Sequence, residues 1–500
     1  MKRIGTDFFI VVMVFVLLMP RLGISQTSQE AHVSGSPNPV GAGARALGMG
    51  GAFIGVADDA TAASWNPGGL IQLETPEISM VVSFDKLYED RNFSQNPGAS
   101  GKYGLSLYDL NYLSVAYPFE FLEKNMVVSL NYQTLYNFNK KYNYDYQYSN
   151  RVSSHEDLNP IPLVTLVIDT TTITQGDRLT DFDSEGYLKA LSPAIAIQVT
   201  PSFSLGVTLN YYHPELGSKW KTSYFDKLNG TLDIDVRTST SVGGNPPNIT
   251  NSTYSYSFQT QTQYNDEYQF KTSLNPFDLD KTSYNIGFLW NINKYLTLGG
   301  VYKTPFSAEV KYKETFQSEM YMENVDDPND SSSFVTPFSV IADEDQEMVM
   351  PASYGLGLAC RFSDQFTMGL DIYRTDWQDF VLKQADGREL SLITGQERSL
   401  ADTQPTHQVR LGGEYLYLYK YKYAIPVRAG VFYDPEPTEG DPDDFYGFSL
   451  GSGVATNKFA FDIAYQYRWG NDVRKVRLGS EEVFQDIQQH TIYASIIYCF

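Results

Sequence analysis

From about residue 76 to Phe500 the chain alternates apolar and polar side chains with a period of two, in stretches separated by polar connections. In Phe461-Asp-Ile463-Ala-Tyr465-Gln-Tyr467-Arg-Trp469 every odd position is apolar or aromatic, and the even positions are Asp462, Ala464, Gln466 and Arg468. Ile78, Met80, Val82 and Phe84 repeat the pattern near the start of the region. Successive side chains of a strand point to opposite faces, so each segment has one apolar and one polar face. The period excludes an amphipathic helix but leaves two all-β folds open, a soluble sandwich and a membrane barrel.

The N-terminus and the composition favour the barrel. Lys2 and Arg3 precede an apolar run from Phe8 to Met19, and Gly23-Ile24-Ser25 supplies the small residues of a cleavage site. Residues 1–25 therefore read as a secretory signal peptide cut after Ser25, because the run is shorter than the ~20 residues of a spanning helix. The mean hydropathy of −0.31 would suit a water-soluble protein. In a barrel, however, polar lumen faces and long loops dilute the apolar lipid face. The 37 tyrosines and 30 phenylalanines suit aromatic girdles at two membrane interfaces. Cys360 and Cys499 are too few for a disulfide scaffold and read as wall residues.

The fold expected is all-β, a transmembrane antiparallel β-barrel of about fourteen strands. The strands fall near 76–86, 109–119, 125–138, 186–199, 203–213, 281–293, 295–312, 348–362, 365–377, 406–418, 423–434, 444–455, 457–469 and 490–500. Short turns at 119–125, 200–202, 293–294, 363–365, 419–422 and 456–457 all fall on one side, the periplasmic one. The other side carries long connections at 139–185, 214–280, 313–347, 378–405, 435–443 and 470–489, with a hairpin expected around Asn229-Gly230 in the second. Ile492, Ala494, Ile496, Tyr498 and the terminal Phe500 alternate outward, a pattern that resembles the C-terminal strand signal read by the barrel-assembly machinery.

The formal charge is −22, and removing Lys2, Arg3, Arg21 and Asp7 with residues 1–25 leaves −24, which argues against nucleic acid as a partner. Asp326-Asp327, Asp343-Glu344-Asp345 and the run from Asp434 to Asp444 fall in the long connections and read as a solvated, repelling outer surface. They lack the ligand spacing of a calcium loop, so no metal or other cofactor is expected. His32, His155, His213, His407 and His490 are scattered, and neither a Gly-x-Ser-x-Gly elbow nor a Walker loop occurs, so the chain does not read as an enzyme.

Residues 41–70 differ from the rest. Gly41-x-Gly43-x-x-Ala46 matches a degenerate dinucleotide fingerprint, but Ser34-Gly35-Ser36-Pro37-Asn38-Pro39 stands where that motif needs a buried strand. A linker would not carry Met49, Phe53, Ile54 and Trp65. The stretch Gly43-Ala-Arg45-Ala-Leu-Gly48-Met-Gly50-Gly51-Ala-Phe53, then Ala57-Asp58-Asp59-Ala60-Thr61-Ala62 and Asn66-Pro67, resembles the N-terminal hatch of the FadL/TodX (OmpP1) family. Met350-Pro351 to Leu358, Asp371 to Trp377 and Arg428 to Pro437 resemble later parts of that family.

The resemblance implies a monomeric, porin-like transporter in the outer membrane of a Gram-negative bacterium. Its partners would be long-chain fatty acids or hydrocarbons and the surrounding lipid. Residues 26–75 would be the hatch plugging a bore too wide to stand empty, and 76–500 the barrel. Gly48, Gly50 and Gly51 would be close-packing points, and Asn66, Pro67 and Gly68 a turn at the inner end. Met49, Phe53 and Trp65 are candidates for touching ligand. Lumen-facing Arg410, Glu414, Arg428, Asp462 and Arg468 would form ion pairs that hold the plug, with capture of a ligand carboxylate as the alternative. Lateral exit through a gap at a kinked wall strand points by order to the third strand, Met126 to Phe138, which contains neither Gly nor Pro. A role as the outer-membrane partner of a secretion system, binding exported proteins through the outer loops, is the second reading.

Overall fold

A computed structural model describes residues 41–500 apart from 95, 162–163, 244, 272–277, 279, 326–333, 421 and 479–480. The signal segment 1–25, residues 26–40 of the expected hatch and Asp326-Asp327 lie outside the described residues. Fourteen antiparallel wall strands close on themselves. The first are β1 (Glu77–Phe93), β2 (Gly101–Phe121), β3 (Lys124–Asn137) continued by β4 (Lys140–Ile161), and β5 (Val164–Thr200). Next come β6 (Phe203–Tyr212) continued by β7 (Lys219–Val242), and β8 (Asn248–Lys271) leading into β9 (Ser283–Asn291). Then β10 (Leu296–Lys303) is continued by β11 (Phe306–Asn324), and β12 (Phe334–Met350) leads into β13 (Ser353–Ser363). After β14 (Phe366–Thr375) come two short strands, β15 (Val381–Lys383) and β16 (Glu389–Ser391). The wall ends with β17 (Thr406–Tyr419), β18 (Tyr423–Tyr433), β19 (Tyr446–Ala455), β20 (Phe459–Leu478) and β21 (Glu481–Cys499). The ladder from Glu77↔Cys499 to Phe93↔Val483 closes the ring.

Each of the fourteen expected strand segments falls on one of these wall strands. The alternation explains it: Asp462, Ala464, Gln466 and Arg468 are buried inward, while Phe461 and Ile463 face out. At the first periplasmic turn Leu122 and Glu123 both take positive φ, 50° and 59°. That conformation suits a two-residue hairpin whose twist matches its strands.

The long connections are a correction. Most of 139–185, 214–280, 313–347 and 470–489 is strand, not loop. β5 alone runs for 37 residues, far beyond the ~9–11 that a tilted strand needs to cross a bilayer. β4, β5, β7, β8, β11 and β12 thus carry the sheet well past the membrane. Its inner face is a cluster that includes Tyr142, Tyr144, Tyr146, Tyr148, Phe182 and Phe258. The hairpin expected at Asn229-Gly230 turns instead after Val242, because Gly230 lies mid-strand opposite Gly176 with their backbones in close contact. Asp343, Glu344 and Asp345 belong to β12, opposite Lys313, Tyr312 and Lys311 of β11.

Inside the wall sits the segment 41–73, with two short helices, α1 (Ala44–Gly48) and α2 (Ala62–Trp65), and a 3-10 turn at Pro67–Gln72. Nearly all of it is buried. On the outer side, the connection after β14 folds inward: Trp377, Phe380, Leu382 and Leu392 pack on Phe306, Met348 and Met350, and β15 pairs with β12.

Candidate functional site

The inner segment lies against the wall backbone to backbone. A Cβ built on Gly412 would meet Met49 O at 1.9 Å, and one on Gly430 would meet Gly50 N at 2.3 Å. On other strands Gly206 faces Pro67, Gly287 faces Asn66, Gly299 faces Ile54, and Gly451 faces Gly48. A mid-strand glycine marks a site where another backbone approaches closely, and here several strands repeat it at inward positions. Gly50 adds a conformational demand: its φ of 67° disfavours any L side chain, and a Cβ there would lie 3.2 Å from Gly430 Cα.

Neutral groups hold the C-terminal half of the segment. Asn66 Nδ2 donates to Ile54 O at 2.9 Å and to Phe288 O at 2.8 Å, while its Oδ1 accepts from Gly68 N at 3.1 Å. Ser204 Oγ donates to Gly68 O, Thr208 Oγ1 to Ala63 O and Tyr112 OH to Ala60 O, at 2.7, 2.9 and 2.9 Å. Asp59 turns back to accept from Thr61 N and Oγ1. Burial pushes its carboxyl above the usual range, against the pull of Arg45 and the Thr61 hydroxyl.

Charged groups hold the N-terminal half. Arg45 pairs with Asp58 at 2.5 Å and with Glu414 at 2.8 Å. Glu414 also pairs with Arg428 at 2.5 Å, and Arg428 with Asp462 at 2.5 Å. Burial works against the Arg45 cation, but Asp58 and Glu414 keep it well above its ordinary value. Asp371 Oδ2 accepts from Phe53 N and Ile54 N, Arg410 donates to Gly50 O, and Ser449 bridges Gly50 N and Gly48 O. A second relay climbs outward: Arg410 to Asp434 at 3.4 Å, Asp434 to Arg468 at 3.3 Å, Arg468 to Glu436 at 3.0 Å, Glu436 to Arg474 at 2.9 Å. Arg474 reaches Glu89, which pairs with Arg91. Burial opposes the Glu436 charge, yet Arg474 and Arg468 hold its carboxyl below the usual range. Asp434 and Glu436 therefore point into the barrel and are paired there, which corrects the reading of that run as a solvated surface.

Among the described residues the wall is interrupted at one place near this segment. The β2–β3 ladder runs from Phe121↔Lys124 to Tyr112↔Gln133 and stops there. Beyond it Gly101–Arg91 to Val82–Leu110 pairing keeps β2 on β1, while β3 and β4 stay on β5. Asn111 is skipped in the β1 register and Leu135 in the β5 register, so a bulge sits on each lip. Asp109 stitches the lower corner, accepting from Thr134 Oγ1 at 2.6 Å and pairing with Lys189. Arg91 to Asn143 O and Asn96 to Gln147 O close the outer end.

Behind the gap lies a cavity of about 190 Å³. Its floor is the inner segment at Gly41, Leu47, Ser64 and Trp65, and its sides include Leu105, Leu107 and Leu135 of the two lips. Phe306 and Tyr136 join it to the apolar cluster above.

The structure brings together the residues singled out in the sequence to different degrees. Gly48, Gly50 and Gly51 face Gly451, Gly430 and Arg410, and Asn66, Pro67 and Gly68 face Phe288 and Gly206. Trp65 lines the cavity, its Nε1 donating to Ala42 O at 2.6 Å. Met49 and Phe53 are buried between segment and wall, and neither lines this cavity. Arg410, Glu414, Arg428, Asp462 and Arg468 are all buried and paired. Sequence reasoning missed Arg45, Asp434 and Glu436 as their partners, and it missed Asp58 and Asp371, which bind Arg45 and the Phe53 and Ile54 amides. It also missed the wall glycines, whose inward register was a readable signal. Among the described residues no group of three or more His, Cys, Asp or Glu is placed to hold a metal ion.

The model of the family described as outer membrane protein transport protein (OMPP1/FadL/TodX) matches residues 183–494. A crystal structure of a Pseudomonas aeruginosa FadL homologue aligns at 16% identity over 93% of this chain and 100% of that one, with a TM-score of 0.50. The Pseudomonas putida toluene transporter TodX aligns at 14% identity over 93% of this chain and 100% of that one, with a TM-score of 0.46. A search of curated proteins finds no match.

Proposed function

Because this chain belongs to the OMPP1/FadL/TodX family of outer membrane transport proteins, we propose that it takes up hydrophobic small molecules across the outer membrane. The segment 41–73 acts as the hatch. Substrate enters from the outer side, rests in the cavity above Trp65, and leaves sideways between β2 and β3–β4. The observation that carries this reading is the ladder that ends at Tyr112↔Gln133, with a cavity lined by both of its lips.

The physical advantage is that an apolar molecule passes from cavity to lipid without crossing the aqueous periplasm. Downward exit would have to displace a segment fixed at both halves, by ion pairs on one side and amide and hydroxyl contacts on the other. Sideways exit needs no wall ladder to break, because none joins these stretches of backbone. Gly48, Gly50, Gly51, Asn66, Pro67 and Gly68 then act as the seal.

The test is to narrow the gap without touching the hatch. Leu105→Trp with Leu107→Trp should cut uptake of a labelled hydrocarbon by cells by at least about tenfold, while the barrel keeps its heat-modifiable mobility. Unchanged uptake in a folded barrel would overturn lateral exit.

A further inference from the structure

Resting on the uptake reading above, we propose that Asp109 sets the width of the sideways exit. Its ties to Lys189 and Thr134 bolt the lower end of the wall gap, and a broad substrate leaves only when that bolt parts.

The alternation of the strands shows that this contact runs through the wall. Asp109 of β2 stands opposite Ser83 of β1, which shares the buried inner face with Val81, so Asp109 points into the barrel. Across the gap the inward pair is Gln133 and Ala190, ladder partners of β3 and β5 that are both buried. Thr134 and Lys189, the next pair along, therefore point to the lipid side. Asp109 nevertheless accepts from Thr134 Oγ1 at 2.6 Å and pairs with Lys189 Nζ. An inward carboxylate meets two outward side chains only where no backbone stands between them, so the three groups lie in the opening itself.

The cavity follows the same path. Leu105 and Leu107 line it from the inner face of β2, whereas Thr134, Asn137 and Tyr187 line it from the lipid-side face of β3 and β5. The open space thus passes from lumen to lipid, and Asp109 lines it too.

The two ends of the gap are closed by different means. At the outer end Arg91 is fully buried, donates to Asn143 O at 3.2 Å, pairs with Glu89 and lies over the rings of Tyr103 and Tyr144 at 4.4 and 4.5 Å. Among the described residues the lower tie hangs on Asp109 alone, with Oδ2 taken by Thr134 and Oδ1 by Lys189. Lys189 reaches it on a flexible four-carbon stem, so the bolt parts without any movement of backbone. An apolar molecule brings neither donor nor acceptor to replace these bonds, and opening them costs the full interaction. A narrow substrate passes beside the intact bolt, while a wide one must break it.

The test measures uptake of labelled toluene and labelled phenanthrene, one ring against three fused rings, by cells producing the full-length protein. Asp109→Ala with Lys189→Ala removes both charges together, so neither is left uncompensated. It should raise the phenanthrene-to-toluene uptake ratio at least about tenfold, the effect of one charge-assisted tie on a rate, in a barrel that keeps its heat-modifiable mobility. Lys189→Arg keeps a cation within reach of Asp109 and should hold the ratio within about twofold of the unaltered protein. Thr134→Val takes one tie and spares the ion pair; it should raise the ratio about threefold, and it carries the test if the double variant fails to fold. An unchanged ratio in the folded variants, or an equal rise in Lys189→Arg, overturns the proposal. If Leu105→Trp with Leu107→Trp blocks uptake of both compounds while the bolt variants leave the ratio unchanged, this inference falls alone. If neither set of substitutions alters uptake, lateral exit falls with it.

Discussion

On the β14–β20 side the hatch meets Asp371, Arg410, Glu414 and Arg428, with Asp462 paired behind Arg428, whereas on the β2–β9 side it meets Tyr112, Ser204, Thr208, Asn285 and the carbonyl of Phe288. The first half-wall is charged and the second neutral, yet both are lined with glycine. The difference follows from what each must do. Paired charges in a buried site resist separation, because removing one partner leaves the other uncompensated. Neutral hydrogen bonds exchange with water at small net cost. The wall gap opens on the neutral side, between β2 and β3, so the hatch is anchored firmly where the wall is continuous and lightly where it is interrupted.

The sharpest break of this comparison is Arg428→Met. It strips Asp462 of its partner and leaves Glu414 only Arg45, and one-sided removal from a buried pair costs about 3–5 kcal/mol. Protease cleavage of the hatch in folded barrels should accelerate, and conductance in planar bilayers should rise. Asn66→Leu comes next. Two carbonyls, Ile54 O and Phe288 O, lose their donor, at about 1–3 kcal/mol. Thr208→Val removes a single neutral bond to Ala63 O and should cost about 1 kcal/mol. If protection of the hatch falls equally in Arg428→Met and Thr208→Val, the two half-walls grip alike and the comparison fails.

How much of this was legible in the sequence follows the same division. The wall strands were readable because alternation is a local signal, and Phe461 to Trp469 states it without help from any distant residue. The outer extension was misread although Tyr142, Tyr144, Tyr146 and Tyr148 alternate as cleanly, because a membrane barrel needs only a bilayer's width of strand and the excess was assigned to loops. Partners such as Arg45 and Glu414 are 369 residues apart, and only ring closure brings them together. The gap was less legible still. It arises where a ladder stops beside bulges at Asn111 and Leu135, and neither bulge uses a glycine or proline to announce itself.

The smallest effect gives the finest test, because it separates the halves by the sign of their pH response. Burial raises the Asp59 carboxyl above the ordinary aspartate value of about 3.9, so the folded protein binds that proton more readily than the unfolded chain. Ionising it therefore weighs against docking, and docking gains as the pH falls through the raised value. Glu436 behaves oppositely, since arginines hold its carboxyl below the ordinary glutamate value of about 4.3. Its contribution is complete above that value and is lost as the pH falls through the lowered one. Asp59→Asn keeps an acceptor for the Thr61 N–H and O–H, so it should protect the hatch slightly at pH 7, by less than about 1 kcal/mol, and remove the gain on mild acidification. Hydrogen exchange of the hatch amides as the pH is lowered from neutral reads this directly. A loss of protection in Asp59→Asn at pH 7 would mean that Asp59 acts as a charge toward Arg45, which would extend the charged half across the whole hatch.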